Sequence, residues 1–330
     1  MPEQYAKPHL SVGEQLDLLE RRGLQVGDRI AAERTLRLVG YYRLSAYTYP
    51  FRQLLTQRER AQSGSRFSYR GSGFIEGASF ETVRDLYLFD RRLRLSMLDA
   101  LEVVEVSLRA AVAHVLGRRD PFGHVRRASL NPTACGKLNR GTNRDAFSDW
   151  MDAYRKKQQA ASQEDFVRHH LEKYREPLPV WVAVEFLDFG STVRLLSLLR
   201  GDDRNTVAAM HGVGNGSLFI RWMRNLNYLR NVCAHHSRLW NRTLTYAYSK
   251  WRPRDASDYL SHVASSEPRN KVYIGLAVTA ALIRHLDGRS PWSNDLSTLI
   301  LGFPEHPILS LQRDMGFPDG WQCQPIWCQT

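Results

Sequence analysis

A long helical pattern constrains the fold more than any other feature of this sequence. Apolar side chains recur at steps of three and four between residues 80 and 117, with no proline or glycine before Gly117. Such spacing places apolar side chains on one face of an α-helix. The recurring positions are Val83, Leu86, Leu93, Met97, Leu101, Val104, Leu108 and Val112. Together with shorter helical patterns on both sides, this segment predicts a mostly α architecture.

The shorter patterns divide the chain into three parts. Ser11 and Glu14 form a capping box that predicts a helix up to Gly23, and Asp28 is placed to cap a second helix that ends near Gly40. Further helical patterns cover residues 147–175, 180–199, 217–242 and 270–286, whereas the polar segments 57–77 and 118–145 predict loops. We therefore predict an N-terminal helical region with a basic loop (1–77), a helical core (78–250), and a C-terminal helix with a Pro-rich aromatic tail (251–330).

The composition restricts the function without deciding it. The 330 residues include 39 Arg, 7 Lys and 34 Asp+Glu, for a net charge of +12. Arginine suits phosphate and base contacts, although a GC-rich genome would raise the arginine content equally. Charges interrupt every apolar run, and the N-terminus has no secretory pattern. The four cysteines are irregularly spaced, and we expect a reduced protein in the bacterial cytoplasm, with no membrane partner.

The sharpest functional signal lies in residues 217–242, which predict one amphipathic helix. Its apolar stripe consists of Leu218, Trp222, Leu226, Leu229, Cys233, His236 and Trp240. The opposite face is predicted to carry Arg221, Arg224, Asn231, His235, Arg238 and Arg242. A solvated structural face normally mixes both signs of charge, whereas this one has no carboxylate. The predicted helix therefore presents a cationic face suited to phosphate.

An R-x-x-x-x-H spacing occurs twice among the helical segments. One copy is Arg230 with His235, and the other is Arg109 with His114 on the long helix. Arg230 falls at the edge of the apolar stripe, where an arginine needs a buried partner or an interface. Glu105 precedes Arg109 by four residues, an order that favours an ion pair. The Arg109 copy is consistent with two roles: a pair of residues that supports the core, or one half of a paired site (a second half-site).

Residues 230–242, RNVCAHHSRLWNR, closely resemble the signature of the Abi-like abortive-infection proteins of bacteria, of the AbiD/AbiF type. The resemblance extends over nearly the whole chain, including residues 41–45, 86–94, 102–109, 178–181 and 315–318. It implies an all-α, HEPN-like helical bundle, because this family is placed among the HEPN-domain proteins. In that superfamily R-x-x-x-x-H marks a metal-independent endoribonuclease site, and two motifs pair to form one cleft.

The resemblance also implies roles for individual residues. Arg230, Asn231 and His235 are the predicted catalytic residues, and Glu105, Arg109 and His114 form the candidate second half-site. The predicted contacts to RNA phosphates come from Arg221, Arg224, Arg238 and Arg242. Histidine suits proton transfer near neutral pH, so RNA cleavage by 2′-OH attack would need no metal or cofactor and would leave a 2′,3′-cyclic phosphate. The predicted partners of this antiphage toxin are single-stranded RNA, an inhibitory small RNA and a second copy in a homodimer.

Two other interpretations remain open at this point. A non-catalytic RNA-binding or protein-interaction module would keep the basic face and bind RNA in a salt-dependent way. A metal site could use Cys233 with His235 and His236, or His169 with His170, but adjacent helical side chains diverge by about 100° and no further ligand completes a tetrahedral set. We expect His236 to pack in the core. The aromatic candidates for base stacking, which fit a core equally well, are Tyr42, Tyr47, Tyr49 and Phe67.

Overall fold

The computed structural model describes residues 8–62, 69–139, 141, 143–175 and 177–328. Helices dominate these ranges, so the all-α prediction is confirmed. The helices are α1 (Val12–Arg21), α2 (Arg29–Val39), α3 (Tyr41–Thr48), α4 (Gln57–Gln62), α5 (Phe80–Arg119), α6 (Pro132–Gly136), α7 (Ala146–Ala160), α8 (Asp165–Tyr174), α9 (Val180–Ala183), α10 (Phe189–Leu198), α11 (Gly201–Ala209), α12 (Gly216–Ala234), α13 (Val272–Leu286) and α14 (Trp292–Leu301). Two small antiparallel sheets pair β1 (Arg52–Leu54) with β2 (Arg70–Phe74) and β3 (Leu138–Asn139) with β4 (Arg144–Asp145).

The N-terminal helices begin where the capping residues predict. The amide of Glu14 donates to the Ser11 hydroxyl, and the amide of Ser11 donates to the Glu14 carboxylate, which completes the capping box. Asp28 caps α2 in the predicted way by accepting a hydrogen bond from the amide of Ala31. Both helix starts follow from local hydrogen bonds, so the sequence alone could locate them.

The prediction of a loop over residues 57–77 is wrong in part, because the segment contains α4 and β2. Its glycines were interpreted as loop residues, yet one of them serves the strand pairing. A Cβ at Gly73 would lie 3.0 Å from the Gln53 side chain, so the glycine lets the neighbouring strand approach closely. Residues 63–68, which include Phe67, lie outside the described residues.

The long helix α5 confirms the strongest sequence pattern. All eight of its predicted apolar positions are fully buried. The helix continues past Gly117, where the sequence predicted an end. A Cβ on Gly117 would lie 3.2 Å from the Trp181 ring, so this glycine makes room for a packed indole and does not end the helix.

Contacts within the chain divide it into two compact units. One consists of residues 1–93 and 299–311, and the other, called unit 2 below, of residues 94–298 and 312–330. Every predicted catalytic and phosphate-binding residue belongs to unit 2, whereas the tyrosine candidates for base stacking belong to the other unit. The three-part division from the sequence remains a prediction.

Helix α12 is the centre of unit 2, and its apolar stripe is confirmed at five positions. Leu218, Trp222, Leu226, Leu229 and Cys233 are all buried, and α10, α11 and α13 pack against this helix. Helix α11 was not predicted from the sequence. A Cβ at Gly275 would lie 2.5 Å from Leu229, so the glycine allows α13 to approach α12. None of the helices described is both long and apolar enough to cross a membrane.

The predicted extent of this helix is wrong, because α12 ends at Ala234 and not at residue 242. His235 is the C-cap, and His236 adopts a left-handed conformation with φ of 54°. The amide of His236 donates to the carbonyl of Cys233, and that of Ser237 donates to Val232, both at 2.9 Å. These two bonds are the Schellman pattern of a helix end. Glycine usually takes the left-handed position, and the sequence has histidine there, so the end was missed.

Candidate functional site

A buried carboxylate connects the two R-x-x-x-x-H motifs within one chain. Glu105 on α5 is only 7% exposed. One of its oxygens lies 2.5 Å from Nη2 of Arg109, one turn further along α5, as the spacing predicts. Its other oxygen lies 3.5 Å from Nε of Arg230 on α12. Arg230 thus has the buried partner that its place beside the apolar stripe requires. We call Glu105, Arg109 and Arg230 the Glu105 cluster.

The Glu105 cluster carries one net positive charge, because two guanidinium groups share one carboxylate. This charge attracts an anion more strongly than a fully solvated charge would, because the surrounding protein screens it less than water does. Of the two arginine side chains, Arg230 is the more exposed. The cluster can therefore hold Arg230 in a fixed orientation while part of its guanidinium remains accessible to an anion.

The two motif histidines have different surroundings, although both are exposed. His235 caps the C-terminal end of α12, where its amide donates to the Asn231 carbonyl at 3.0 Å. His114 lies within α5 and lines a cavity of about 540 Å³ together with Arg118, Trp181 and Glu185. Within the described part of the chain, no hydrogen bond or ion pair joins either imidazole to Glu105. The structure thus brings the motif arginines together through a shared partner, and it does not do so for the histidines.

Two of the predicted phosphate-binding arginines do not lie on the helix that was predicted to carry them. Arg238 and Arg242 follow the end of α12. Arg242 folds back on the helix, where Nε donates to the Arg238 carbonyl at 2.8 Å and Nη1 donates to the Tyr228 hydroxyl at 3.2 Å. Burial acts to raise the pKa of Tyr228, but hydrogen bonds with Thr245 and Arg242 outweigh it and lower the pKa. Arg242 therefore makes intramolecular contacts that the sequence could not indicate.

The other two predicted phosphate-binding residues, Arg221 and Arg224, line a groove of about 710 Å³ between α10 and α12. Its lining residues are Gly190, Val193, Arg194, Ser197, Arg221, Arg224, Asn225, Asn227, Tyr228, Asn231, Tyr246 and Ala247. All of these residues are described, and none is acidic. We call this feature the arginine–amide groove. Arg194, Asn225 and Asn227 were not predicted as site residues, although Asn225 follows Arg221 by four residues and Asn227 precedes Asn231 by four, a helical spacing that could have indicated both asparagines.

Adjacent residues of α12 lie on different faces of the helix and contact different features. Residues 221, 224, 225, 228 and 231 follow helical spacing and line the arginine–amide groove. Arg230 is rotated by about 100° from Asn231 and contacts Glu105. His235 follows Asn231 by one turn, at the end of the stripe that lines the groove. Of the three predicted catalytic residues, Arg230 therefore belongs to the Glu105 cluster, Asn231 lines the groove, and His235 follows Asn231 by one turn.

Several secondary predictions are corrected or left untested. His236 is exposed, so the expectation that it packs in the core is wrong; its left-handed backbone turns the chain away from the helix. Tyr47 is buried and donates to Asp90 at 2.6 Å, which makes it a core residue. Tyr42 is exposed. Among the residues that the structure describes, no group of three or more His, Cys, Asp or Glu side chains is arranged to hold a metal ion.

A comparison with known protein families identifies the family of this chain. Residues 34–241 match the model of the Abi-like protein family, which is more than half of the chain. The chain belongs to the Abi-like family. The matched range includes Arg109 with His114, Arg230 with His235, Glu105 and most of the arginine–amide groove, whereas Arg242 lies just beyond it. No curated protein and no solved structure matches this Abi-like chain significantly. The resemblance to abortive-infection proteins is thus confirmed at the level of the family.

Proposed function

We propose that this Abi-like protein is a metal-independent endoribonuclease with a HEPN-like helical bundle, and that it cleaves single-stranded RNA during abortive infection. The observation that carries the proposal is the Glu105 cluster, in which one buried carboxylate holds the arginines of both motifs. A guanidinium that an ion pair holds in place and an exposed histidine five residues further along the chain provide the two kinds of group that phosphate transfer without a metal can use. Family membership supports the abortive-infection role.

The proposed reaction breaks one phosphodiester bond of the RNA. The 2′-oxygen attacks the adjacent phosphorus and loses its proton, while the bond from phosphorus to the 5′-oxygen breaks and that oxygen gains a proton. The products are a 2′,3′-cyclic phosphate and a 5′-hydroxyl. His235 acts as the base or the acid in these proton transfers. Arg230 stabilises the negative charge that develops on the phosphate oxygens, and Asn231 orients the reacting groups.

Cleavage of a 5′-labelled single-stranded RNA in excess EDTA tests the proposal. We expect cleavage to persist and the upstream product to carry a cyclic phosphate, recognised by its resistance to phosphatase until acid opens the ring. Arg230→Ala is expected to slow cleavage by about 10²–10³-fold, as for other groups that stabilise transition-state charge. Arg230→Lys keeps the charge and is expected to recover part of that loss. His169→Ala, at an exposed histidine on α8, is the matched control.

Abolition of cleavage by EDTA, or an unchanged rate for Arg230→Ala, would contradict the proposed chemistry. Salt-dependent RNA binding without cleavage would favour the alternative, a non-catalytic RNA-binding or protein-interaction module. For the biological role, induced expression of the wild type is expected to arrest growth and degrade cellular RNA. Expression of Arg230→Ala is expected to do neither.

The homodimer predicted from the sequence is a separate part of the proposal. Glu105 joins both motif arginines within one chain, so that contact needs no second copy. The mass of the active species, measured by size exclusion with light scattering, decides between the two arrangements. An active dimer would support a cleft formed by two chains. An active monomer would assign the motif pair to a single chain.

A further inference from the structure

We propose that the arginine–amide groove binds one unpaired nucleotide of the RNA, next to the phosphate that is cleaved. Its arginines would contact the flanking phosphates, and its amides and tyrosine rings would hold the base. The inference rests on the proposed function in taking RNA as the ligand. It adds a base-binding subsite, and with it Arg194, Asn227 and Tyr246 as residues that decide affinity and base preference.

The charges of the groove indicate an anionic ligand. Several arginines of unit 2 pair with carboxylates: Arg119 lies 2.8 Å from Asp203, and Arg127 lies 2.7 Å from Asp145. Arg194 and Arg224 differ, since neither forms an ion pair with any residue that the structure describes. Positive charge that converges on a groove without acidic lining attracts phosphate.

The remaining polar groups of the groove suit a nucleobase. Asn227 and Asn231 bring amides to the lining, and Asn225 beside them is only 5% exposed. Amide side chains donate to and accept from the edges of unstacked bases. Tyr246 is 63% exposed and offers a ring on which a base can stack. A groove of about 710 Å³ lies within the usual size range of ligand sites.

One glycine keeps the groove open beside these amides. A Cβ at Gly190 would lie 3.3 Å from Nδ2 of Asn227, so a larger side chain there would occupy the groove and press on the amide. The groove also ends near the proposed catalytic group, because His235 follows Asn231 by one helical turn. A nucleotide held in the groove would therefore be adjacent to the reacting phosphate.

The test measures RNA binding in a protein that does not cleave. Fluorescein-labelled RNA 12-mers of uridine, adenosine or cytidine are titrated with the His235→Ala protein, and anisotropy is recorded at several salt concentrations. Gly190→Leu, added to His235→Ala, changes no charge, and we expect it to weaken binding about tenfold without altering the salt dependence. Arg194→Gln and Arg224→Gln are each expected to reduce the salt slope by about 0.7.

Two further variants address the base itself. Tyr246→Ala is expected to weaken binding of all three RNAs by about tenfold through lost stacking. Asn227→Ala is expected to change the relative affinities for the three RNAs more than their mean. The matched controls, both exposed and outside the groove, are Tyr174→Ala and Arg155→Gln. Melting temperatures close to that of the His235→Ala parent show that the variants are folded.

The outcomes separate the groove from the proposed ribonuclease. If Gly190→Leu, Tyr246→Ala and Asn227→Ala bind all three RNAs as the parent does, the groove is not a nucleotide site, even if the wild type cleaves RNA. If binding depends on these residues and the wild type does not cleave, the groove proposal stands and the ribonuclease proposal fails. If no 12-mer binds the parent at all, the groove proposal is overturned.

Discussion

The two R-x-x-x-x-H copies share a spacing and a carboxylate, but the backbone differs at their histidines. In the first copy, α5 continues past His114 for five residues to Arg119, so this histidine lies within the helix. In the second copy, α12 ends at Ala234, and His235 is the helix cap. The comparison teaches that the spacing alone does not define a site. The local backbone decides what each histidine faces.

Two adjacent residues of α12, Arg230 and Asn231, have different surroundings. Arg230 turns towards a buried carboxylate, whereas Asn231 turns towards a groove without acidic lining. The arginine is thereby oriented by protein, and the amide remains available for a ligand. The two sides of α12 differ because only the side of Arg230 meets a carboxylate from another helix. That carboxylate is Glu105 of α5.

The largest effect is expected for Glu105→Ala, which removes the partner that the two motifs share. Loss of the buried carboxylate leaves two partly exposed arginines without their partner, and we expect about 1–2 kcal/mol lower free energy of unfolding together with loss of cleavage. Urea denaturation measures the first effect and the RNA assay measures the second. Glu102→Ala, at an exposed glutamate on the same helix, is the control. Equal stability of the two variants would show that Glu105 does not hold the motifs together.

The two histidines can be compared directly by alanine substitution. His235→Ala is expected to reduce the cleavage rate by at least about 10²-fold, the usual contribution of a general acid or base. His114→Ala is expected to change the rate by less than about threefold if its copy is a structural pair. Both side chains are exposed, so neither variant should unfold. Equal losses in the two variants would instead make Glu105, Arg109 and His114 the second half-site.

A buried histidine outside the two motifs makes the stability of the protein depend on pH. Burial lowers the pKa of His124 to about 4, and neither of its ring nitrogens has a hydrogen-bond partner among the described residues. The unfolded chain takes up a proton below about pH 6.5 and the folded chain does not, so stability falls as the pH drops from about 6.5 to 4. His124 alone would account for about 3 kcal/mol over this range.

The measurement for this prediction is the free energy of unfolding in urea between pH 7 and pH 4.5. His124→Phe keeps a ring at the site and is expected to flatten the dependence on pH. Burial also lowers the pKa values of His211 and His262, so a smaller slope will remain. His169→Phe, at an exposed position, is the control and should keep the wild-type slope. An unchanged slope for His124→Phe would assign the acid sensitivity to other groups.

The smallest effect is expected for Arg242→Gln, which tests the arginines beyond the end of α12. Arg242 is already engaged by the Arg238 carbonyl and the Tyr228 hydroxyl, so its loss should weaken RNA binding by less than about threefold. Anisotropy with a uridine 12-mer compares it with Arg224→Gln, whose arginine lines the groove. A larger loss for Arg242→Gln than for Arg224→Gln would place the RNA path over the C-terminal side of α12.

Local patterns in the sequence were sufficient to predict helices α1, α5 and α12. The buried stripe of α5, the capping box at Ser11 and the apolar face of α12 from Leu218 to Cys233 were predicted and are present. Each of them depends on side chains three or four residues apart, which backbone hydrogen bonds bring together. The family was also evident from the sequence, because its signature at residues 230–242 is a continuous segment.

The end of α12, the partner of Arg230 and the residues that line the groove became known only from the folded structure. The helix ends in a left-handed histidine, a position where sequence patterns lead one to look for glycine. Glu105 and Arg230 are far apart in the sequence, and Arg194 lies on a different helix from Arg224. Helical periodicity specifies which face of a segment is apolar. It does not specify which other helix covers that face, so side chains that meet through packing remain unknown until the helices are assembled.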